Sequence, residues 1–146
     1  MSAGISSRRK GQAGELEAAA LLRELTGHDV RRKVRQHPLD VDLEGLDGWA
    51  VEVKRTARTY PHTLRSWWKQ ASENARAHGG LPVVFYRVDR QGWRVLWPSA
   101  AHLPDMNHSL EDFGATLQGT PITWWSMCQR LGVRKPPGVA VALSGV

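Results

Sequence analysis

Cysteine is nearly absent from this chain: Cys128 is the only one in 146 residues. An intramolecular disulfide is therefore excluded, and a reducing compartment is expected. A lone cysteine of this kind reads as a small buried hydrophobe rather than a nucleophile. No apolar run approaches the roughly 18 residues that a membrane helix needs, and no secretory leader pattern is found. A cytoplasmic protein without a membrane partner is expected. The six histidines show neither HxH nor HExxH spacing, which argues against zinc. No segment repeats.

What the chain does have is positive charge, a net +6 with a pI near 10.1. A polyanionic partner is the natural expectation. Eleven of the 20 Lys and Arg residues fall within the first 60 positions, and so do nine of the 14 Asp and Glu. Acids embedded in a basic field suit a metal site facing phosphates better than they suit a plain basic tail. Arg8, Arg9, Lys10, Arg31, Arg32, Lys33, Arg35 and Arg55 are the candidate phosphate contacts, acting as a group and mostly without sequence preference.

The length fits one domain with a real core. Residues 1–9 read as a mobile basic N-terminus, 10–98 as the core domain, 99–135 as an extension with one helix, and 136–146 as a tail. A helix is expected from Gly11 to about Thr26, stopped by Gly27. Its wheel turns Gly14, Ala18, Leu22 and, at the border, Glu15 toward the body, and Glu17 toward water. Asp29–Gln36 reads as a strand with Val30 and Val34 inward. Val41–Leu43 and Trp49–Arg55 are the next strands. Thr63–Ala77 reads as a helix with Leu64, Trp67, Trp68, Ala71 and Ala75 on its core face. Pro82–Val88 and Trp93–Trp97 form a hairpin, residues 99–121 are irregular, and Thr120-Pro121 caps and opens a last helix through Leu131. This order predicts an α/β fold, a central mixed five-stranded sheet flanked by helices.

The most informative stretch is Asp40–Lys54. Alternate side chains on a strand share a face, so Ala50, Glu52 and Lys54 point one way and Trp49, Val51 and Val53 the other. A Glu and a Lys on one side of an apolar strand are expensive to bury without partners. The turn before that strand decides what faces Glu52. A two-residue Asp47-Gly48 turn sets Leu43 opposite Glu52. A three-residue loop, Leu46-Asp47-Gly48, sets Asp42 opposite Glu52 and Leu43 opposite Val51. Only the second register keeps the apolar residues together.

A carboxylate pair beside an ammonium matches the needs of phosphodiester hydrolysis: an activated water, neutralised phosphoryl oxygens and a stabilised leaving oxygen. Mg²⁺, with Mn²⁺ as an alternative, takes one or two carboxylates plus waters and phosphate. Asp42 and Glu52 are the expected ligands, with the Val53 carbonyl as a third and Asp40 as a competitor on the same face as Asp42. Lys54 would orient or deprotonate the attacking water. Glu15 would ligate a second ion or hold a metal-bound water.

Lys10-Gly11-x-x-x-Glu15, Val41-Asp42-Leu43, Val51-Glu52-Val53-Lys54, Gly79-Gly80-x-Pro82-Val83 and Gly92-Trp93-Arg94 occur in order over residues 8–98. In this the chain resembles the PD-(D/E)xK nuclease superfamily, most closely its archaeal-type Holliday junction resolvase branch and related phage endonucleases. Asp42 is not preceded by proline; Pro38 lies four residues earlier. The resemblance implies a restriction-endonuclease-like fold and a metal-dependent endonuclease acting on branched DNA. It also brings Gln70, on the second helix, to the catalytic group. Resolution of a two-fold junction implies a homodimer, for which Trp124 and Trp125 are candidate interface residues. A nicking or restriction-like nuclease, or a non-catalytic binder of the same fold, are the alternatives.

Overall fold

The computed structural model describes residues 2–34, 37–103 and 109–134, with side chains from Arg9 onward. The expected tail over 136–146, and the expectations for Arg35, Gln36 and the Arg8 side chain, lie outside the described residues.

Three helices flank one sheet. Helix α1 spans Ser2–Thr26, α2 Pro61–His78 and α3 Pro121–Leu131; the strands are β1 Arg31–Arg32, β2 Leu43–Glu44, β3 Trp49–Thr56, β4 Leu81–Val88, β5 Arg94–Pro98 and β6 Thr116–Gly119. The sheet runs β1-β2-β3-β4-β5-β6. Only β3 and β4 are parallel, and α2 is the crossover between them. The mixed α/β architecture is as expected, with six strands instead of five.

The strand missed by sequence reading is β6. Thr116-Leu117-Gln118-Gly119 has one apolar side chain, too few for a period of two to register, yet it pairs along β5 from Val95↔Gly119 to Pro98↔Thr116. Thr116–Gly119 therefore belongs to the same sheet, and Ala101, Trp124 and Cys128 to the same core as β3–β5. His102 helps to fix them. Trp97 Nε1–H donates to its Nε2 at 2.9 Å, so the other ring nitrogen must carry the proton donated to the Gly132 carbonyl at 2.8 Å.

Helix α1 begins at Ser2 rather than Gly11. Nothing from Ser2 to Lys10 breaks a helix, and Lys10 is tied to Asp89 at 2.9 Å. The expected Asp29–Gln36 strand shrinks to Arg31–Arg32: Val30 is buried, but Val34 is 71% exposed. The chain turns soon afterwards, with the Asp40 N–H bonded to the His37 carbonyl. Strand β2 likewise starts at Leu43, not Val41.

Strand β3 is covered on both faces, which explains its nearly unbroken apolar run. Trp49, Val51 and Val53 join Ala18, Ala19 and Leu22 of α1 and Trp124 of α3 in one core cluster. On the other face Ala50 meets Ala75, while Trp68 and Ala71 of α2 pack on Val84 and Leu96. Two glycines permit the close approaches this needs. A β-carbon on Gly14 would lie 2.5 Å from Arg55 Cγ, and one on Gly45 (φ +105°) 2.3 Å from the Asp29 carbonyl oxygen.

Trp124 is fully buried inside its own chain, edge-on to Trp49 at 5.5 Å and to Phe85 at 5.2 Å. It therefore cannot serve a subunit interface as expected; Trp125 is half-buried, against His28. Among the described residues no helix is long and apolar enough to cross a membrane.

Trp124→Ala should lower unfolding stability by about 3–5 kcal/mol. Ile122→Ala, at a position 67% exposed on the same helix, should change it by less than about 0.5 kcal/mol. Urea unfolding followed by circular dichroism checks both; equal, small effects would contradict this packing.

Candidate active site

The register that places the site is Leu43↔Val51, the pairing of the three-residue loop. It sets Asp42 opposite Glu52. The regular ladder ends there, and the Val53 N–H donates instead to Asp42 Oδ2 at 2.8 Å. The Asp42 backbone is held as well: its N–H meets the Val51 carbonyl at 3.0 Å, and its carbonyl accepts from the Lys33 N–H at 2.9 Å. The Asp42 carboxylate thus has little freedom to turn away from β3.

Glu52 is 1% exposed. Asn74 donates its amide to Glu52 Oε1 at 2.5 Å, while among the described residues no donor reaches the buried Glu52 Oε2. Burial pushes the Glu52 carboxyl up to about 8. The negative charge of Asp42 and a hydrogen bond to it push the same way; the Asn74 amide and the Lys54 charge oppose them. Two carboxyl groups in one dry pocket resist ionising together, and they ionise readily only when a cation is supplied.

Lys54 follows on the same face of β3 and donates to Gln70 Oε1 at 2.8 Å. Gln70 and Asn74 stand one turn apart on α2, so one helix face serves both Lys54 and Glu52. Asp42, Glu52, Lys54 and Gln70 are thus brought together. Asn74 was missed by sequence reading. Its available signal was its spacing of four from Gln70, among the alanines of the buried face.

Glu15 is engaged by Arg32. Its carboxylate meets Arg32 Nε at 2.7 Å. Among the described residues no three His, Cys, Asp or Glu side chains gather as a metal-holding group, so Glu15 does not stand as a third carboxylate beside Asp42 and Glu52. Asp40 is also engaged apart from the pair, with the Lys33 ammonium at 2.5 Å and the Val41 N–H at 3.0 Å. Val53 lies between Glu52 and Lys54 with its side chain in the opposite core.

The expected phosphate contacts are largely occupied by acids. Arg32 pairs with Glu15, Lys33 with Asp40, and Lys10 with Asp89. Arg55 reaches Asp89 at 3.3 Å and Glu17 at 3.6 Å from beneath Gly14, on the face opposite Lys54. Glu17 does not simply face water: it binds Arg87 and accepts from Trp93 Nε1 at 2.9 Å. The helix wheel could not show this, because these partners come from β3, β4 and β5. Arg9 is exposed, and Arg31 forms only an exposed pair with Asp29. A cleft of about 870 Å³ lies near the β2–β3 turn, lined by His28, Asp47, Trp125 and Arg134 among others, and it does not include the carboxylate pair.

No family model matches the chain. Protein D14 of Escherichia phage T5 is 26% identical over 122 residues, a match covering 69% of this chain and 76% of that relative. Among solved structures, Hjc from Archaeoglobus fulgidus, a Holliday junction resolvase, covers 58% of this chain and 74% of its own, with 22% identity and a TM-score of 0.41. At that degree of overlap the functional reading rests on the side chains of this chain.

The raised Glu52 carboxyl has a consequence for stability. From the ordinary carboxyl range to about pH 8, the folded protein holds a proton that the unfolded chain has lost. Stability without divalent ions should therefore fall as pH rises through this window, by an amount on the order of a few kcal/mol. Glu52→Gln removes the titrating group while keeping an acceptor for Asn74. The variant should melt higher than the parent at pH 8 and no higher near pH 4. Parallel pH–melting curves for the two proteins would contradict the assignment.

Proposed function

We propose that this protein is a divalent-metal-dependent DNA endonuclease that hydrolyses phosphodiester bonds, acts on branched DNA and works as a homodimer. The observation that carries the reading is the buried Asp42–Glu52 pair, with no donor reaching Glu52 Oε2 among the described residues and the Lys54 ammonium next along the same strand. Such a pair is costly in a folded protein unless a cation joins it.

The residues present fit Mg²⁺ or Mn²⁺. Hard cations take oxygen ligands, and Mg²⁺ commonly uses only one or two carboxylates and keeps its remaining waters for a phosphate. Asp42 and Glu52 would hold the ion, with the Val53 carbonyl as the third protein ligand. When bound, the ion would supply Lewis acidity toward the phosphoryl oxygen and acidify the attacking water.

The other roles belong to the chain itself. Asn74 holds one oxygen of Glu52 and the Val53 N–H holds one oxygen of Asp42, which limits how far either carboxylate can turn. Gln70 accepts one hydrogen bond from Lys54 and leaves its remaining donors for substrate. From there the ammonium orients the attacking water and offsets charge growing on the phosphoryl group. Branched DNA as substrate is supported by the ordered motif set from Lys10 to Arg94. The homodimer is supported by the two opposed cuts that a two-fold junction requires.

Labelled four-way junction, flap, linear duplex and single strand should be incubated with Mg²⁺, Mn²⁺ or EDTA. The junction should be cut with either metal and left intact in EDTA. Asp42→Asn, Glu52→Gln and Lys54→Ala should each reduce cleavage by about 10²–10⁴-fold, with DNA affinity kept. Light scattering should give twice the 16.3 kDa chain mass. Undiminished cleavage by Asp42→Asn would refute the site, and a monomer that cuts would refute the dimer.

A further inference from the structure

One surface beside the site has no part in the roles above. At the start of α2 the chain presents two aromatic rings side by side, Tyr60 just before the helix and His62 in its first turn, with centroids 5.5 Å apart and planes only 4° from parallel. Tyr60 is 50% exposed, and His62 is exposed too. Neither ring fills a core. The backbone around them is held in place. Thr56 Oγ1 donates to the Arg58 carbonyl at 2.9 Å, and the Tyr60 carbonyl accepts from the Thr63 N–H at 2.9 Å in the first turn of α2.

Cations flank the pair. Arg58 precedes it in the loop, and Lys69 lies on the exposed side of α2, next to Gln70. Among the described residues neither has an acidic partner within ion-pair distance, in contrast to Lys10, Arg32, Lys33 and Arg55. The nearest acid on that helix face is Glu73, one turn beyond Lys69. Accessibility points the same way. Along one face of β3, Glu52 is buried and Lys54 half-exposed, so the site opens toward the end of β3 from which the Tyr60 loop departs. Eight residues of helix separate His62 from Gln70, about 12 Å, the span of a few nucleotides.

We propose that Tyr60 and His62, flanked by Arg58 and Lys69, form a stacking platform for an unpaired base of the DNA substrate, a few nucleotides from the phosphate held at Lys54. The proposal rests on the nuclease reading for its orientation. Two parallel rings at a half-exposed site offer a flat face that any base can stack on, whereas a base inside a duplex has both of its faces already covered. The unmatched cations would hold the phosphates on either side of it. A gap, a flap or the opened centre of a junction exposes such a base, and a continuous duplex does not.

The test is binding in EDTA, where no cleavage intervenes. Fluorescence anisotropy compares a fully paired duplex with the same duplex carrying a short unpaired gap. The parent protein should prefer the gapped DNA. Tyr60→Ala combined with His62→Ala should weaken gapped-DNA binding about tenfold and change duplex binding less than about twofold, and Tyr60→Trp should retain the preference. Circular dichroism and an unchanged melting temperature would show that the double variant is folded. An equal loss on both DNAs, or no loss on the gapped one, overturns the platform. Failure of the nuclease reading looks different: the parent never cuts, yet the preference and its loss in the double variant persist. If the parent cuts junctions while the double variant binds gapped DNA unchanged, the platform alone is wrong.

Discussion

Two carboxyl groups that face each other in a dry pocket set the terms for this structure. Asp42 and Glu52 belong to different strands, and only the three-residue Leu46–Gly48 loop brings them into register. Everything around them restrains or offsets that juxtaposition. The Val53 N–H takes one Asp42 oxygen, the Asn74 amide takes one Glu52 oxygen, and the proton retained on Glu52 removes the second charge. A fold concerned only with stability would place apolar side chains here. The sheet and α2 bury both groups almost completely, so the pair carries a cost that a bound cation would offset.

The positive charge of the chain divides into two kinds. Lys10, Arg32, Lys33 and Arg55 are engaged by acids and tie α1, β1 and the ends of β3 and β4 together. They act mainly as internal fasteners, and Lys10 and Arg32 add to the apolar face of α1 in holding that helix over the sheet. Arg9, Arg58 and Lys69 have no such engagement among the described residues and remain available to an anion. Net charge alone cannot separate these groups, since both contribute equally to the +6. The distinction depends on which acids the fold brings nearby.

The same limit governs what could be read from the chain. The register of Asp42 against Glu52 was legible, because a slip of one residue would have moved Leu43 out of the core. Helix α2 and its Gly79 stop were legible from apolar spacing, as was the Thr120-Pro121 start of α3. Strand β6 was not, having one apolar residue in four and an alignment set wholly by β5. Glu17 was misread because a helix wheel knows nothing of Arg87 and Trp93 across the sheet. Trp124 was read as a possible interface residue because sequence reveals its bulk but not that Trp49 and Phe85 enclose it. Asn74 escaped notice because a polar residue on an apolar helix face has meaning only once its partner, Glu52, is known.

The central claim is that the Asp42–Glu52 pair is a binding place for a divalent cation. Calorimetric titration of Mn²⁺ into the metal-free protein at pH 7, in buffers of different ionisation enthalpy, tests it most directly. One ion should bind per site and release about one proton as the Glu52 carboxyl ionises. Asp42→Asn or Glu52→Gln should abolish both the binding and the proton release. Absence of binding to the parent protein, or binding that survives Asp42→Asn unchanged, would contradict the account.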